Sequence, residues 1–223
     1  EALTVDLTGP AQRQLAARDG DTLTVPKVGD LVANGATLKG AVTRPGSYGW
    51  VAGMRLSDLI SDARRDLSRD ADLGLGMIIR QKNAVLDIEV LSFDLVSVIA
   101  SPGSDRDIAL QELDEVLVFS LVTSDLTDAD ADADASRDAL LAPVLAKLRS
   151  QARQNEPVAI VSVSGAVRAG GNYPLIKGAT VETLINAAGG LTDSAFLQAA
   201  ELRRLSDRES GQVVADYRDI NLA

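Results

Sequence analysis

A stretch of 26 residues occurs twice in this chain, and the two copies align without a gap. Residues 38–63 read LKGAVTRPGSYGWVAGMRLSDLISDA, and residues 163–188 read VSGAVRAGGNYPLIKGATVETLINAA. The identical positions of the first copy are Gly40, Ala41, Val42, Gly46, Tyr48, Gly53, Leu59, Ile60 and Ala63. An internal duplication defines the folding unit, because each copy must adopt the same local structure. The repeat therefore predicts two small units of one fold rather than a single catalytic domain.

The first copy has the pattern of a hairpin followed by a helix. We expect a strand over 37–43, a type II turn over 44–47 with Gly46 at the position of positive φ, and a return strand over 48–51. After Gly53, apolar residues follow at helical spacing, which predicts a short helix packed on the hairpin. The apolar residues of that helix are Leu56, Leu59, Ile60 and Ala63.

The second copy predicts the same elements with different turn chemistry. We expect strands over 158–167 and 173–176, joined by a turn at 169–172 in which Gly171 supplies the positive φ. Thr180 suits the N-cap of a helix over 181–188, and Gly189-Gly190 suits its end. Gly53 and Gly178 are interpreted as structural turn glycines rather than as ligand-binding residues.

Further strands are predicted outside the repeat, at 77–81, 86–95, 108–119, 201–205 and 213–220. A hairpin, a helix and then more strands is an α+β order. It predicts two β-grasp-like domains, in each of which a mixed sheet curls around one short helix. An acidic linker and a helix would join the two domains.

The expected boundaries are residues 34–123 for the first domain, 124–156 for the linker and helix, and 157–223 for the second domain. The second domain lacks a counterpart of the closing strand that follows Asp114. A similar pattern, Asp21 followed by TLTVP, lies in residues 1–33, which we interpret as the last strand of a preceding unit in a longer array. We expect residues 22–26 to fill the open sheet edge, in cis or from a neighbouring molecule, because unpaired edges are a liability.

The segment between the domains contains the acidic run DLTDADADADAS. Its alternating aspartates, Asp128 to Asp134, resemble the start of a calcium loop. Ala133 stands where such a loop needs glycine, and Ala139 where it needs glutamate, so a solvated linker fits the run better. Residues 137–153 then predict an amphipathic helix, whose regular part is expected to begin near Pro143.

Composition excludes several functions. The net charge is −10 and the chain has neither histidine nor cysteine. An acidic chain lacks the basic face that nucleic acid requires. A Cys/His metal site, a thiol nucleophile and an imidazole base are all excluded, and no phosphate-binding or nucleophile-elbow motif is present. We therefore expect no enzyme activity, cofactor or metal.

Aromatic residues are the candidates for ligand contact, because they form only 3% of the chain. Tyrosine and tryptophan suit faces that stack on sugars, and the alternative for each tyrosine is to close its hairpin over its helix. Two arginines near the turns offer charge to an anionic sugar, or are simply solvated. The candidate ligand-binding residues are Arg44, Tyr48, Trp50, Arg168, Asn172 and Tyr173.

The segments GAVTRPGSYGWVAGMRLSDLI and GAVRAGGNYPLIKGATVETLINAAGGL resemble the opening of soluble-ligand-binding β-grasp (SLBB) domains. The later DEVLVF resembles the closing strand of that family. The first copy departs from the family pattern at its terminal AGG, and the second departs at the turn proline. Tandem SLBB domains are typical of bacterial polysaccharide export proteins, in which rings of subunits stack beneath an outer-membrane pore.

The resemblance implies a periplasmic protein that is associated with the outer membrane through parts outside this chain. Other subunits of the export machinery, including further copies of the chain, and the polysaccharide are the implied partners. One hypothesis is an assembly module that lines a conduit for capsule or exopolysaccharide. The other is a module that binds a saccharide or another small ligand through one β-grasp unit.

Overall fold

A computed structural model describes residues 34–83, 87–121, 136–152, 158–207 and 213–222. Within them the protein is α+β, with a mixed sheet and few helices. The first unit contains the strands β1 (Gly35–Gly40), β2 (Gly46–Gly49), β3 (Ala71–Gln81), β4 (Ile88–Phe93) and β5 (Glu115–Ser120). Its helices are α1 (Leu56–Leu59), α2 (Ala63–Asp66) and α3 (Leu95–Ala100).

The five strands form one mixed sheet in the order β2-β1-β5-β3-β4. The closing strand β5 lies at the centre, where it pairs parallel with β1 and antiparallel with β3. Strand β5 therefore connects the hairpin β1–β2 to the hairpin β3–β4. The mixed sheet of the first unit is confirmed, and the closing strand is present but begins at Glu115 rather than at 108.

The three helices cover one face of this sheet. Alternate residues of the central strands, including Leu38, Val116 and Val118, point into a core with Leu56 of α1 and Leu95 of α3. All five side chains are at most 2% exposed. The burial of this face holds the short helices in place, since helices of this length are not stable alone.

The first unit has three short helices, so the expectation of a single helix is wrong. Residues 94 and 95 were expected to continue the strand over 86–95, but β4 ends at Phe93. The Asp94 carboxylate accepts hydrogen bonds from the amide of Val96 at 2.9 Å and the hydroxyl of Ser97 at 2.7 Å. This N-cap starts α3 directly after the strand.

The predicted type II turn is also wrong. Gly46 is already part of β2 and pairs with Leu38, so the loop between the paired strands is longer than a tight turn. The chain leaves the hairpin at Gly40, which has φ +91°, and Val42 forms a bridge with Leu67 instead. The positive φ predicted for Gly46 is nevertheless confirmed, at +148°, whereas the positive φ predicted for Gly171 is wrong.

The second unit contains a hairpin, a helix and another hairpin. Its elements are β6 (Ile160–Val163), β7 (Gly171–Pro174), α5 (Val181–Ala187), β8 (Ala200–Asp207) and β9 (Val213–Ile220). Within the described residues, β6–β7 and β8–β9 are two separate two-stranded sheets. The helix predicted over 181–188 and the strands predicted over 201–205 and 213–220 are confirmed. The first hairpin is shorter than expected, since β6 ends at Val163 rather than at 167 and β7 begins at Gly171 rather than at 173. The Thr180 hydroxyl accepts from the amide of Thr183, as expected of an N-cap.

The helix α4 (Arg137–Ser150) lies between the units in sequence. It begins six residues before Pro143, so the expected start near that proline is wrong. Ser136 caps the helix by accepting from the amide of Ala139 at 3.2 Å. Packing of Leu140 and Leu141 in the first two turns outweighs the hydrogen bond that a proline inside the helix removes.

Helix α4 covers the second face of the first unit's sheet. Met77, Leu117 and Phe119 point to this face and are buried against the leucines of α4. Tyr173 and Ile176 of the second unit join the same cluster. The second unit thus has its buried residues in a core that it shares with α4 and the first sheet.

Two predictions concern residues outside the described ranges. They are the preceding unit expected at residues 1–33 and the acidic linker expected at Asp128 to Asp134. In the part of the chain that the structure describes, no helix is long and apolar enough to cross a bilayer.

Arg137 is the buried charge at the meeting of the units. Its guanidinium donates to the carboxylate of Asp72 on β3 at 2.8 Å and to the carbonyl of Ala187 at the end of α5. It also lies 4.7 Å from the centre of the Phe119 ring. The Asp72 carboxylate accepts a second bond, from the amide of Gly74 at 3.0 Å. One side chain therefore joins the first sheet, α4 and the second unit.

Replacing Arg137 by Met is expected to lower the free energy of unfolding by about 3 kcal/mol, because it leaves the Asp72 carboxylate buried without its cation. Urea denaturation followed by circular dichroism measures this loss. Arg149→Met, on the exposed side of the same helix, is the control and should change stability by less than about 0.5 kcal/mol. Equal effects of the two variants would contradict a special role for Arg137.

Candidate functional site

The repeated sequence adopts the same backbone frame in both copies. In the first, Ala36 is paired with Tyr48, and in the second, Val161 is paired with Tyr173. The other pairs of the first hairpin also correspond to pairs of the second hairpin. The number of residues between a position and its counterpart is the same throughout. The frame also includes the loop that follows each first strand. We call this loop, together with the end of the following helix, the hairpin corner: residues 40–45 with 61–68, and residues 165–170 with 188–192.

Each hairpin corner opens with a glycine of positive φ, Gly40 at +91° and Gly165 at +98°. Two residues later, the amide of the valine donates to the carbonyl of that glycine. The valine then bridges a leucine beyond the helix, Leu67 in the first copy and Leu191 in the second. The corner therefore ties the hairpin to the end of the helix that it covers.

The repeated tyrosines have the same role in both corners. The Tyr48 hydroxyl donates to the carbonyl of Arg44 at 2.6 Å, and the Tyr173 hydroxyl donates to the carbonyl of Ala169. Both bonds reach back four residues to close the loop. The polar atom of each ring is thus used by the fold, and this geometry favours the structural interpretation of the tyrosines over sugar stacking.

The two tyrosines differ in burial. Tyr48 is half-buried at the edge of the first core, whereas Tyr173 is 2% exposed beneath α4. Burial raises the pKa of the Tyr173 phenol, while the charge of Arg137 acts in the opposite direction. Tyr173 is therefore inaccessible to a ligand in this arrangement of the units.

The other predicted residues lie apart from one another. The Trp50 indole donates to the carbonyl of Leu110 at 2.8 Å and packs on the first core. Asn172 is exposed on β7, opposite Ser162. Tyr48 and Trp50 pack on one face of the first sheet, and Tyr173 lies in the cluster on the other face. The candidates do not converge on one site.

The two arginines lie at the hairpin corners and are exposed. Arg44 lies 3.7 Å from the carboxylate of Asp66, and the Arg168 side chain approaches the carbonyl of Leu191 at 3.5 Å. Both therefore have partners within their own corner. Their exposed guanidinium groups leave donors available to an anion in solution.

Asp66 is a buried carboxylate that the sequence did not single out. It accepts from the side chain of Arg65 at 2.9 Å and from the amides of Ser61 and Asp62 at 3.0 and 3.1 Å. The bonds from Arg65, together with the two amide bonds, hold the pKa of Asp66 well below its usual range although burial opposes this. Asp66 thus fixes the turn at the end of the first corner.

A shallow groove of about 150 Å³ lies between α4 and the sheet. Polar atoms come from Lys39, Gln81, Glu115 and Lys147, and the walls are Ile79, Ile88, Leu113, Pro143 and Val144. Lys39 is paired with Glu115 at 2.7 Å. The groove is smaller than the roughly 300 Å³ at which small-molecule pockets begin. It contains none of the predicted site residues.

Comparison with known families finds a match in the second unit. Residues 160–215 match the SLBB domain family. The matched stretch begins with β6 and includes the second hairpin corner, α5, β8 and the start of β9. No curated protein matches the chain. The SLBB domain indicates a ligand-binding module of the kind that is common in polysaccharide export proteins.

Sequence reasoning did not single out the buried charges Asp66, Asp72, Asp107 and Arg137. A signal for Arg137 was present, since it stands at the start of a helix on the same side as Leu140, Leu141 and Val144. A charge on an apolar helix face needs a buried partner, which Asp72 supplies. Within the described residues, no cluster of three acidic side chains suits a metal ion.

Asp66 predicts a stability change in acid. Because its folded pKa is depressed, its contribution is complete above the unfolded value of about 3.9 and is lost as the pH falls below it. The free energy of unfolding should therefore decline below about pH 4, and Asp66→Asn should remove part of that decline. Denaturation at a series of acidic pH values measures both. Asp219→Asn, at an exposed position of β9, is the control; identical curves for Asp66→Asn and wild type would contradict the prediction.

The raised pKa of Tyr173 predicts a loss of stability at alkaline pH. Because burial raises its folded pKa, its contribution is complete below the unfolded value of about 10 and is lost as the pH rises above it. Ultraviolet difference titration should show one of the three tyrosines ionising after the others. Tyr173→Phe should remove that late step, whereas Tyr48→Phe should leave it. A late step that persists in Tyr173→Phe would contradict the assignment.

Proposed function

We propose that the chain is a periplasmic module of a capsule or exopolysaccharide export protein. In this proposal both units are SLBB-type domains, and their main contribution is to assemble subunits around a conduit for glycan. The observation that carries the proposal is the SLBB domain at 160–215, together with the identical hairpin frame of the first unit. Two units of one frame in one chain suit a stack of rings.

The aromatic candidate residues support assembly rather than sugar capture. The hydroxyl groups of Tyr48 and Tyr173 and the indole of Trp50 are bonded within the fold. By contrast, several large apolar side chains of the second unit are exposed, including Phe196 at 68% and Leu175 at 47%. Phe196 and its exposed chain neighbour Leu197 together offer apolar area for packing against another protein.

The charge of the chain is compatible with a conduit. A net charge of −10 repels acidic polysaccharides and so disfavours their tight capture. A wall that does not retain its cargo suits transport. The partners in this proposal are further copies of the chain, other subunits of the machinery and the polysaccharide.

The alternative is a module that binds a saccharide or another small ligand through one unit. The SLBB domain itself favours this reading, since such domains are ligand-binding modules. Tyr217 on β9 is 57% exposed, and its ring is available for stacking on a sugar. Among the described aromatic residues of the second unit, Phe196 alone is more exposed. The Arg203 guanidinium lies 5.9 Å from the centre of that ring.

Sedimentation at increasing concentration, with and without neutral and acidic oligosaccharides, distinguishes the two functions. We expect the chain to associate without glycan, and Phe196→Ser to weaken association at least tenfold because it removes an exposed apolar contact. Val51→Ser, at an equally exposed position of the first unit, is the control. Fluorescence of Trp50, the single tryptophan, should not change with sugar. A chain that stays monomeric and binds a saccharide saturably would overturn the proposal in favour of the alternative.

A further inference from the structure

The groove between α4 and the first sheet has the size of a single side chain rather than of a free ligand. Its volume is about 150 Å³. An apolar cavity of about 150 Å³ holds a benzene ring, whereas small-molecule pockets begin at about 300 Å³. A phenyl ring that belongs to a protein therefore fits a space that is small for a free saccharide.

The walls of the groove suit an aromatic occupant. Ile79, Ile88 and Val144 line it with apolar surface. Lys147 follows Pro143 by one turn of α4, so these two residues lie on the same side of the helix. The aliphatic stem of Lys147 extends the apolar wall, and its ammonium can lie over the face of a bound ring.

Leu113 lines the same groove in an unusual backbone conformation. Its φ is +64°, and among the described residues it is the one residue other than glycine with a positive φ. Its side chain is 48% exposed. The turn is held by a hydrogen bond from the amide of Leu113 to the carbonyl of Gly35 at 3.0 Å. Leucine rarely adopts this conformation, and residues held in such conformations cluster at binding sites. The exposed leucine therefore suits a contact that a single molecule does not make.

Phe196 is the most exposed large apolar side chain in the described part of the protein, at 68%. Hydrogen bonds fix the backbone on both sides of it. The amide of Ala195 donates to the carbonyl of Thr192 at 3.0 Å, and the amide of Leu222 donates to the carbonyl of Leu197 at 2.7 Å. A ring on a fixed loop loses little conformational entropy when it binds, so Phe196 is preorganised for contact with another protein.

We propose that Phe196 of one copy of the chain enters the groove of a second copy. In a single molecule the groove is open and Phe196 is exposed, so the two do not meet within one chain. The contact joins two different surfaces, and each pair of copies keeps one free groove and one free Phe196. Such head-to-tail contacts repeat into closed rings or open chains. The inference rests on the assembly role proposed above and names the surfaces that carry it.

Charge complementarity favours a second copy as the occupant. Each copy has a net charge of −10, so two copies repel unless positive groups lie where they meet. Lys39 at the groove is paired with Glu115, whereas the Lys147 ammonium has no ion-pair partner among the described residues. Asp193 is exposed and precedes Phe196 by three residues, which span at most about 11 Å. When the ring is in the groove, this carboxylate can therefore reach Lys147.

Mixing two variants tests the proposal, because one intact groove and one intact ring are enough for one contact. Phe196→Ser removes the ring. Leu113→Asn removes an apolar wall of the groove, and asparagine tolerates the left-handed conformation. In sedimentation, we expect each variant alone to associate about tenfold more weakly than the wild type. An equimolar mixture should form a heterodimer more tightly than either variant associates with itself, and should grow no further because the remaining ring and groove are both defective.

Leu121→Asn is the matched control for the groove variant. Leu121 is also 48% exposed, but it does not line the groove. This variant should associate like the wild type. Urea denaturation supplies a second readout: Leu113→Asn should not lower the free energy of unfolding, because it replaces leucine in an unfavourable conformation. A loss of stability that accounts for the weaker association would contradict a role for Leu113 in the contact.

Reversal of charge tests the polar part of the contact. Lys147→Glu should weaken association, and Lys147→Glu combined with Asp193→Lys in one chain should restore it, because the pair is re-formed between copies with its signs exchanged. Arg149→Glu is the control, since Arg149 is exposed on the same helix but does not line the groove. Equal effects of Lys147→Glu and Arg149→Glu would show that net charge, and not this pair, governs the association.

The remaining outcomes separate this proposal from the assembly role on which it rests. A mixture that associates no more tightly than the single variants would overturn the proposal, because Phe196 would then meet another surface or its own copy. Association that depends on Phe196 but not on Leu113 or Lys147 would also overturn it, and would leave the assembly role standing. A wild-type chain that stays monomeric at every concentration would overturn both.

Discussion

The buried guanidinium of Arg137 is the contact on which the arrangement of the two units depends. A charge that is 9% exposed is tolerated only where its donors are used. Its three partners are Asp72 and the Phe119 ring, on two neighbouring strands of the first sheet, and the carbonyl that ends α5. Because the guanidinium is planar and its donors have fixed directions, it determines position as well as contact. The leucines of α4 bury apolar area, and Arg137 fixes the relative position of the elements that it contacts.

The shared core explains why the two units differ although their hairpins coincide. In the first unit both faces of the sheet are covered, one by its own helices and the other by α4 and the second unit. Strand β5 is accordingly apolar on both faces, as a continuous run of Val116 to Phe119. Such a run is typical of strands that are buried on both sides. Tyr173 is more deeply buried than Tyr48 because it lies in the cluster beneath α4, whereas Tyr48 lies at the edge of the first core.

The duplication predicted the hairpins and the helix after Thr180, because each depends on a local pattern that occurs twice. The closing strand was predicted from the apolar run that ends at Phe119. The duplication did not predict the loop of each hairpin corner. Gly40 and Gly165 turn the chain away from the hairpin, whereas proline and glycine at 45 and 46 suggested a tight turn. The helix start before Pro143 was missed because tertiary packing outweighed the local cost of proline. The ion pair of Arg137 with Asp72 joins residues far apart in sequence, and no periodic pattern reveals such a pair.

The two hairpin corners solve one structural problem with different chemistry. After the helix, the chain must turn back so that a leucine meets the valine of the corner. The second copy turns with Gly189 and Gly190, both at positive φ, and needs no side chain. The first copy is one residue longer and turns on the carboxylate of Asp66, which gathers donors from Arg65 and two amides. A corner built on backbone conformation is indifferent to pH, whereas a corner built on a carboxylate loosens when that group is protonated. The two copies therefore share one backbone frame, but only the first depends on a titratable side chain. The same shape is maintained by different interactions in the two copies.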